Sequence, residues 1–346
     1  MAGIEFYTIT GRDGDISKIT WEPGEELQVT FVRDLGTTSY YYGAMDFGPD
    51  GRLYIHRGTG GSTFTNSGIY YLNDPATSLL TRFQWTTNPA NSNLSGMQSA
   101  LDAGLTFTGD GSLYAGTGLR YVSGIAGVPA GNKSALFWVD PGSPYTTTQT
   151  QTYYDPHNPN LMQSFNAPAI QGLQWYDGQL FALTSDSRSA TYGNSLHLRV
   201  IEHGTTNLSP YDTFGNYDGD GDNGLEGATV LSKGDLALVD DAMFALVNGK
   251  LYYYDMLLGP GQMWTYMGTL PTPPNWSTPT GSGPDYYTGL AALPGQVFSR
   301  AVVPEPATLL IWLVLIVVAV VPMQRHFAGN RSSACAGESG FCTVSA

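Results

Sequence analysis

The chain has 346 residues, enough for one large or two ordinary domains, and sets 15 Lys and Arg against 29 Asp and Glu for a formal net charge of -14. An acidic surface repels phosphate backbones, which argues against nucleic acid as a partner. Charged residues are only 13% of the chain while Gly numbers 43 and Tyr 22, the profile of a turn-rich, exported all-β protein and not of a helical enzyme.

The opening, MAGIEFYTIT, has neither a basic n-region nor an apolar h-region: either a secretory leader is missing upstream of this Met or the protein is a tail-anchored cytoplasmic one, and the first is the expectation. From Ala44 onward one unit recurs: small residue, aliphatic, any residue, apolar, turn, apolar pair. It reads AMDFGPDGRLYIH from Ala44, GLTFTGDGSLYAG from Gly104, GLQWYDGQLFAL from Gly172, DLALVDDAMFAL from Asp235 and GLAALPGQVFS from Gly289, at a spacing of about 55 to 65 residues. Each copy predicts two short strands joined by a tight turn, with Asp-Gly at Asp50, Asp110 and Asp177 as the hairpin signal. A second half follows the first four copies: GIYYLND from Gly68, SALFWVD from Ser134, SLHLRVIE from Ser195 and KLYYYDM from Lys250. These alternate as outer hairpins do.

Strand pairs at a fixed period with no helices between them predict radial repetition. The fold class is all-β, a β-propeller of about five four-stranded blades over residues 1–300, followed by a single C-terminal transmembrane helix. The fifth copy lacks a second half, and GDISKITWEPGEELQVTFV from Gly14 supplies the missing strands, closing the ring and removing the two open edges. A β-sandwich with similar turns is the alternative. Irregular stretches at 86–99, 146–160 and 271–284 read as surface loops.

Chemistry-bearing residues are few. NYDGDGDNGLEG places Asn216, Asp218, Asp220, Asp222 and Glu226 around Gly221, oxygens spaced as in calcium loops, although no register completes the twelve-residue pattern; an acidic solvated turn is the other reading. The segment resembles EF-hand and dockerin-type loops in part, and calcium is the one cofactor it implies. His157, His197 and His203 read as loop or strand-surface residues, and no nucleophile elbow or phosphate loop is present. The repeat units start on small residues, Ala44, Gly104, Gly172 and Gly289, which offer the axis no chemistry, while Asp46, Asp102, Asp235 and Asp285 lie near the strand entries.

The C-terminal part is a sorting instruction. Residues 301–325 hold Pro304, Glu305 and Pro306, an unbroken apolar run from Ala307 to Val321, and Arg325. About fifteen residues of helix span roughly 22 Å, a marginal crossing of a core of about 30 Å that a snorkelling Arg325 extends. Arg325, His326 and Arg331 assign the far end to the cytoplasm. Residues 326–346 read as a disordered tail, which holds the only cysteines, Cys335 and Cys342, so no disulfide framework supports the main domain.

The order of these parts resembles the PEP-CTERM signal of bacterial exported proteins. That resemblance implies an exosortase-type membrane protease as a processing partner, membrane anchoring first, and release to the cell surface or matrix after. The function expected from all this is a non-enzymatic binding or structural role, with extracellular polysaccharide or a surface protein as partner. The alternative is a propeller hydrolase or lactonase that uses metal or carboxylates at the central tunnel.

Overall fold

A computed structural model describes residues 3–11, 13–22, 25–36, 40–59, 68–84, 104–116, 120–122, 131–133, 136–139, 151–152, 169–185, 196–201, 208–213, 234–247, 249–262, 264–272 and 287–298. In chain order the strands are β1 (Ile4–Thr10), β2 (Asp15–Trp21), β3 (Gln28–Asp34), β4 (Tyr40–Phe47), β5 (Leu53–Thr59), β6 (Gly68–Leu72), β7 (Thr81–Gln84), β8 (Leu105–Phe107), β9 (Leu113–Gly116), β10 (Arg120–Val122) and β11 (Gly131–Lys133). They continue with β12 (Leu136–Val139), β13 (Gln151–Thr152), β14 (Ala169–Tyr176), β15 (Gln179–Ser185), β16 (Leu196–Ile201), β17 (Leu208–Thr213), β18 (Gly234–Val239), β19 (Ala242–Val247), β20 (Lys250–Asp255), β21 (Thr265–Thr269) and β22 (Tyr287–Ala292).

These strands form five four-stranded antiparallel sheets and a two-stranded ribbon, β10–β11. Four sheets take their strands from one stretch of chain each: β4 to β7, β8 with β9, β12 and β13, β14 to β17, and β18 to β21. The remaining sheet, β22-β1-β2-β3, joins the two ends of the domain, with Thr8 paired to Leu290 and Tyr7 to Ala291. The innermost strands contact one another in a closed circuit, β22 to β4, β4 to β8, β8 to β14, β14 to β18 and β18 back to β22. This is the propeller arrangement: every sheet stands between two others.

That placement explains the strand sequences. A blade between two neighbours buries both faces, so β19, AMFALV, is buried at all its positions. Its Met243 and Ala245 face Phe181, Leu183 and Leu236, whereas its Phe244 and Leu246 face Phe6, Ile19 and Leu290 of the closing sheet. On the other side of that sheet Ile9 and Ile16 pack with Met45, Ile55 and Leu72. Each such side chain contributes about 1.5–3 kcal/mol on burial. The small residues that open the repeats have a steric cause. A Cβ on Gly104 would lie 2.5 Å from the Leu173 backbone nitrogen, and one on Gly172 would lie 2.7 Å from that of Leu236, so neighbouring inner strands approach only because no side chain intervenes.

Several expectations are corrected here. The fifth repeat copy is a single strand, β22, followed by a turn at Pro294–Gly295, and not a strand pair. Its second strand is β1, so the N-terminus contributes three strands to the closing sheet and not two; pairing with β22 outcompetes a hairpin built on Leu-Pro-Gly. The outermost strands β7, β13, β17 and β21 fall in stretches without alternation, because an edge strand needs no buried face. Among the described residues no helix is long and apolar enough to cross a membrane, so the C-terminal transmembrane helix is not seen, and Ala307–Val321 lies outside them. The chain divides into two units, Met1–Phe298 and Ser299–Ala346; the sheets belong to the first.

Candidate active site

Two carboxylates are drawn into the centre of the ring. Asp235, on β18, is completely buried. Its Oδ2 accepts the backbone N–H groups of Met45 on β4 and Leu290 on β22, each at 3.0 Å, and its Oδ1 accepts that of Leu236 at 2.9 Å. One side chain thus ties the inner strands of three blades. Asp46, on β4, accepts from Phe47 N–H at 2.8 Å and from Phe107 N–H of the next inner strand at 3.1 Å. The Thr106 hydroxyl also bonds the Asp46 carboxylate, while its oxygen accepts from Trp175 N–H of β14 at 3.2 Å.

The repeat accounts for both positions. Asp46 and Thr106 are the third residues of their copies, and both reach the following blade's backbone, so one repeat position supplies one kind of bridge. Asp235 stands first in its copy, where the others have Ala44, Gly104, Gly172 and Gly289. Where those positions give clearance, Asp235 fills it. The sequence carried that signal, a large polar residue at a place reserved for small ones, but it took the ring to show that the carboxylate meets amides from two other blades.

Burial dominates the electrostatics. It raises the Asp46 carboxyl to about 7, against the smaller lowering by the Phe107 and Phe47 amides and the Thr106 hydroxyl. Burial also raises Asp235 well above the usual carboxylate range, opposed by the Leu290, Met45 and Leu236 amides and reinforced by the negative charge of Asp46. Asp235 therefore senses Asp46. Asp46 differs from Asp235 in that the residue as a whole is partly exposed and not completely buried.

His56, on β5, is the third buried titratable group. It is 3% exposed, its Nδ1 has no hydrogen-bond partner, and burial lowers its pKa to about 4. Its neutral imidazole is held as a core residue.

Of the sequence candidates, the structure brings together Asp46 and Asp235. Asp102 and Asp285 lie outside the described residues, as do Asn216, Asp218, Asp220, Asp222 and Glu226 of the calcium-loop segment, the sorting residues Pro304, Glu305, Pro306 and Arg325, and His157 and His203. Among the described residues there is no group of three acidic, His or Cys side chains arranged for a metal. Sequence reasoning passed over His56, which sits in the alternating strand LYIHRGT with nothing to mark it out.

No family model and no curated protein matches the chain. Among solved structures it is similar to an endo-1,4-β-xylanase from Bacteroides thetaiotaomicron, at 12% identity over 77% of this chain and 91% of that one with a TM-score of 0.45. It is similar to a family 43 endo-arabinanase from Bacillus licheniformis, at 12% identity over 77% and 90% with a TM-score of 0.41. A family 117 glycoside hydrolase from Zobellia galactanivorans aligns at 10% identity over 79% and 77% with a TM-score of 0.43. The expectation of a non-enzymatic role is corrected. It rested on inner strands that offer the axis only small residues, whereas those strands carry two buried carboxylates, of which Asp235 feels the charge of Asp46.

The shifts set a pH dependence of stability with two opposed limbs. Asp46 binds its proton more tightly folded than unfolded, so its contribution is complete below about pH 4 and is lost as pH rises through about 7. His56 does the reverse: its contribution is present above about 6.5 and is lost as pH falls through about 4. Thermal unfolding followed between pH 4 and 8 checks both limbs. D46N is expected to lose less stability than the wild type on the alkaline side, and H56L to lose less on the acid side; parallel curves for all three proteins would refute the assignment.

Proposed function

We propose that this protein is a hydrolase in which the Asp46 carboxyl exchanges a proton with substrate near the ring axis while Asp235 holds the strand that carries it. One observation supports the reading above all: Asp46 is enclosed by protein, still partly open to solvent, and raised to about 7. A general acid or base works best with its pKa near the working pH, and two carboxyl groups in different environments are the usual way to obtain an acid and a base from one residue type. Asp46 fits the acid. Asp235, which accepts from the backbone amides of Met45, Leu236 and Leu290, fits a positioning residue.

A glycoside is the substrate class this chemistry suits. A carboxylic acid protonates the departing oxygen and a second carboxylate works from the other face of the sugar. Asp102 and Asp285 are the candidates for that second group, and the abundance of Tyr and Trp gives stacking surfaces for sugar rings. Reducing-end release from xylan, arabinan and related polysaccharides tests the proposal. The expected result is turnover by the full chain, declining as pH rises through about 7, with kcat lowered at least about 100-fold in D46N. Absence of turnover on every polysaccharide, or a D46N variant as active as the wild type, would overturn it.

The finer organisation is proposed on the same footing. Five four-stranded sheets and the circuit of inner-strand contacts support a ring of five blades. The carboxylates from Asp218 to Asp222, with Asn216 and Glu226, support a calcium site, because crowded negative charge is relieved by a cation. Millimolar calcium is then expected to raise the melting temperature, since a ligand that binds only the folded form stabilises it, and an unchanged melting temperature would remove the site. Pro304, Glu305 and Pro306 ahead of the apolar run and Arg325 support export, anchoring and cleavage by an exosortase-type protease. Mass spectrometry of the exported protein is expected to find a C-terminus close to Pro304; an intact chain recovered from cytosol would sink that route.

A further inference from the structure

At the third place of the repeat stand Asp46, Thr106, Gln174, Ala237 and Ala291. The two alanines have no group to bridge with, and Gln174 turns onto its own strand, its Nε2 donating to Trp175 O at 3.4 Å. Asp46 and Thr106 are left as neighbours in the ring, one on β4 and the other on β8, and they bond to each other.

The bonds around Thr106 all run one way. A backbone N–H can only donate, so the bond from Trp175 N–H at 3.2 Å makes the Thr106 oxygen its acceptor. A hydroxyl carries a single hydrogen, and an ionised carboxylate only accepts. The Thr106 hydrogen therefore goes to Asp46, whose Oδ1 also accepts from Phe47 N–H at 2.8 Å and whose Oδ2 accepts from Phe107 N–H at 3.1 Å. Two backbone donors and one side-chain donor thus converge on the ionised form. Because Thr106 accepts from Trp175 while it donates to Asp46, each link polarises the next.

The link is held firmly. Thr106 is completely buried, and its strand is paired to β9 with Tyr114 directly across. Gly104, two residues before it, and Gly172, three residues before Trp175, let β8 and β14 come close enough for the bond. A threonine present for packing alone would need neither of its bonds. Of the ionisable groups around Asp46, Tyr54 stands directly across from it on β5, His56 lies two residues further along that strand, and Asp235 acts from β18. The strand β8, Leu-Thr-Phe, brings no ionisable group, so Thr106 is the side chain through which β8 acts on the carboxyl.

We propose that Thr106 is a positioning residue for the Asp46 acid: its hydroxyl is a one-way donor that holds the carboxylate once the proton has left and keeps that proton, when present, turned away from β8. This rests on the reading of Asp46 as the group that protonates substrate. If Thr106 accepted from Asp46, the acid would lodge its hydrogen on the protein. With the hydroxyl hydrogen directed at the carboxyl, the acid proton faces the other side, where a departing oxygen has to come. When the proton has gone, Thr106 is already aligned with the new negative charge and no group has to turn.

NMR titration of the aspartate carboxyls and the tryptophan amides of the full chain tests this without substrate, with D46N assigning the Asp46 signal and W175F that of Trp175. In the wild type the Trp175 amide is expected to inflect at the Asp46 midpoint, since one hydroxyl joins the two. In T106V the ionised carboxylate loses a donor, so the Asp46 midpoint is expected about one pH unit or more above the wild type, with the Trp175 inflection gone; T106S restores both. The alkaline limb of polysaccharide hydrolysis moves up with the midpoint in T106V and returns in T106S, whereas loss of a residue that only packs would lower activity alike at every pH. A wild-type Trp175 amide that ignores the Asp46 midpoint would overturn the proposal even if T106V fails to fold, and so would equal midpoints in wild type and T106V. A shifted midpoint with no hydrolysis by any of these proteins would keep Thr106 as the donor to Asp46 and overturn the reading of Asp46 as an acid toward substrate.

Discussion

The domain depends on how a narrow ring satisfies the backbone at its centre. The inner strand of each sheet has one hydrogen-bonding edge with no strand beside it, and buried N–H groups left unpaired there would each cost about 1–3 kcal/mol. Asp235 meets that demand for three strands at once, through the amides of Met45, Leu290 and Leu236. Thr288 does comparable service for carbonyls, its hydroxyl donating to Tyr42 O at 2.8 Å. A charge or a polar group at such a depth is tolerated because each of its bonds replaces one to water.

Close approach and carboxylate chemistry are two results of the same geometry. With side chains at Gly104, Gly172 and Gly289 the inner strands could not come near enough for Asp46 to reach Phe107 or for Thr106 to reach Trp175. The same closeness strips both carboxyls of solvent, which lifts both pKa values, and the charge of Asp46 adds to the rise of Asp235. Groups first needed to hold the ring are thereby poised for proton transfer. Asp46 is the less enclosed residue of the two, and on the proposed function this difference separates a positioning role from a chemical one.

The corrections follow from what a linear pattern contains. Small residues at the repeat starts looked inert because a sequence does not show what lies across from them; the same feature is clearance in a ring. The Leu-Pro-Gly of the fifth copy looked like a hairpin turn because local chemistry allows one, yet β1 offered a longer ladder with both faces buried. His56 was invisible since an alternating strand can place a histidine against solvent or in a core with equal ease.

Periodicity and turn chemistry were enough to define an all-β chain of recurring strand pairs, the hairpins at Asp50, Asp110 and Asp177, and an N-terminal stretch that completes the last sheet, since each of these is written in the spacing of apolar residues and of Asp-Gly turns. The acidic balance and the apolar C-terminal run are likewise plain in the linear order. Only folding in three dimensions decided that Asp235 faces Met45 and Leu290, residues 190 and 55 positions away, and that Asp46 becomes a group titrating near neutrality. The reason is physical: distance through space, loss of solvent and the direction in which a turn points belong to the assembled ring, and no property of neighbouring residues along the chain encodes them.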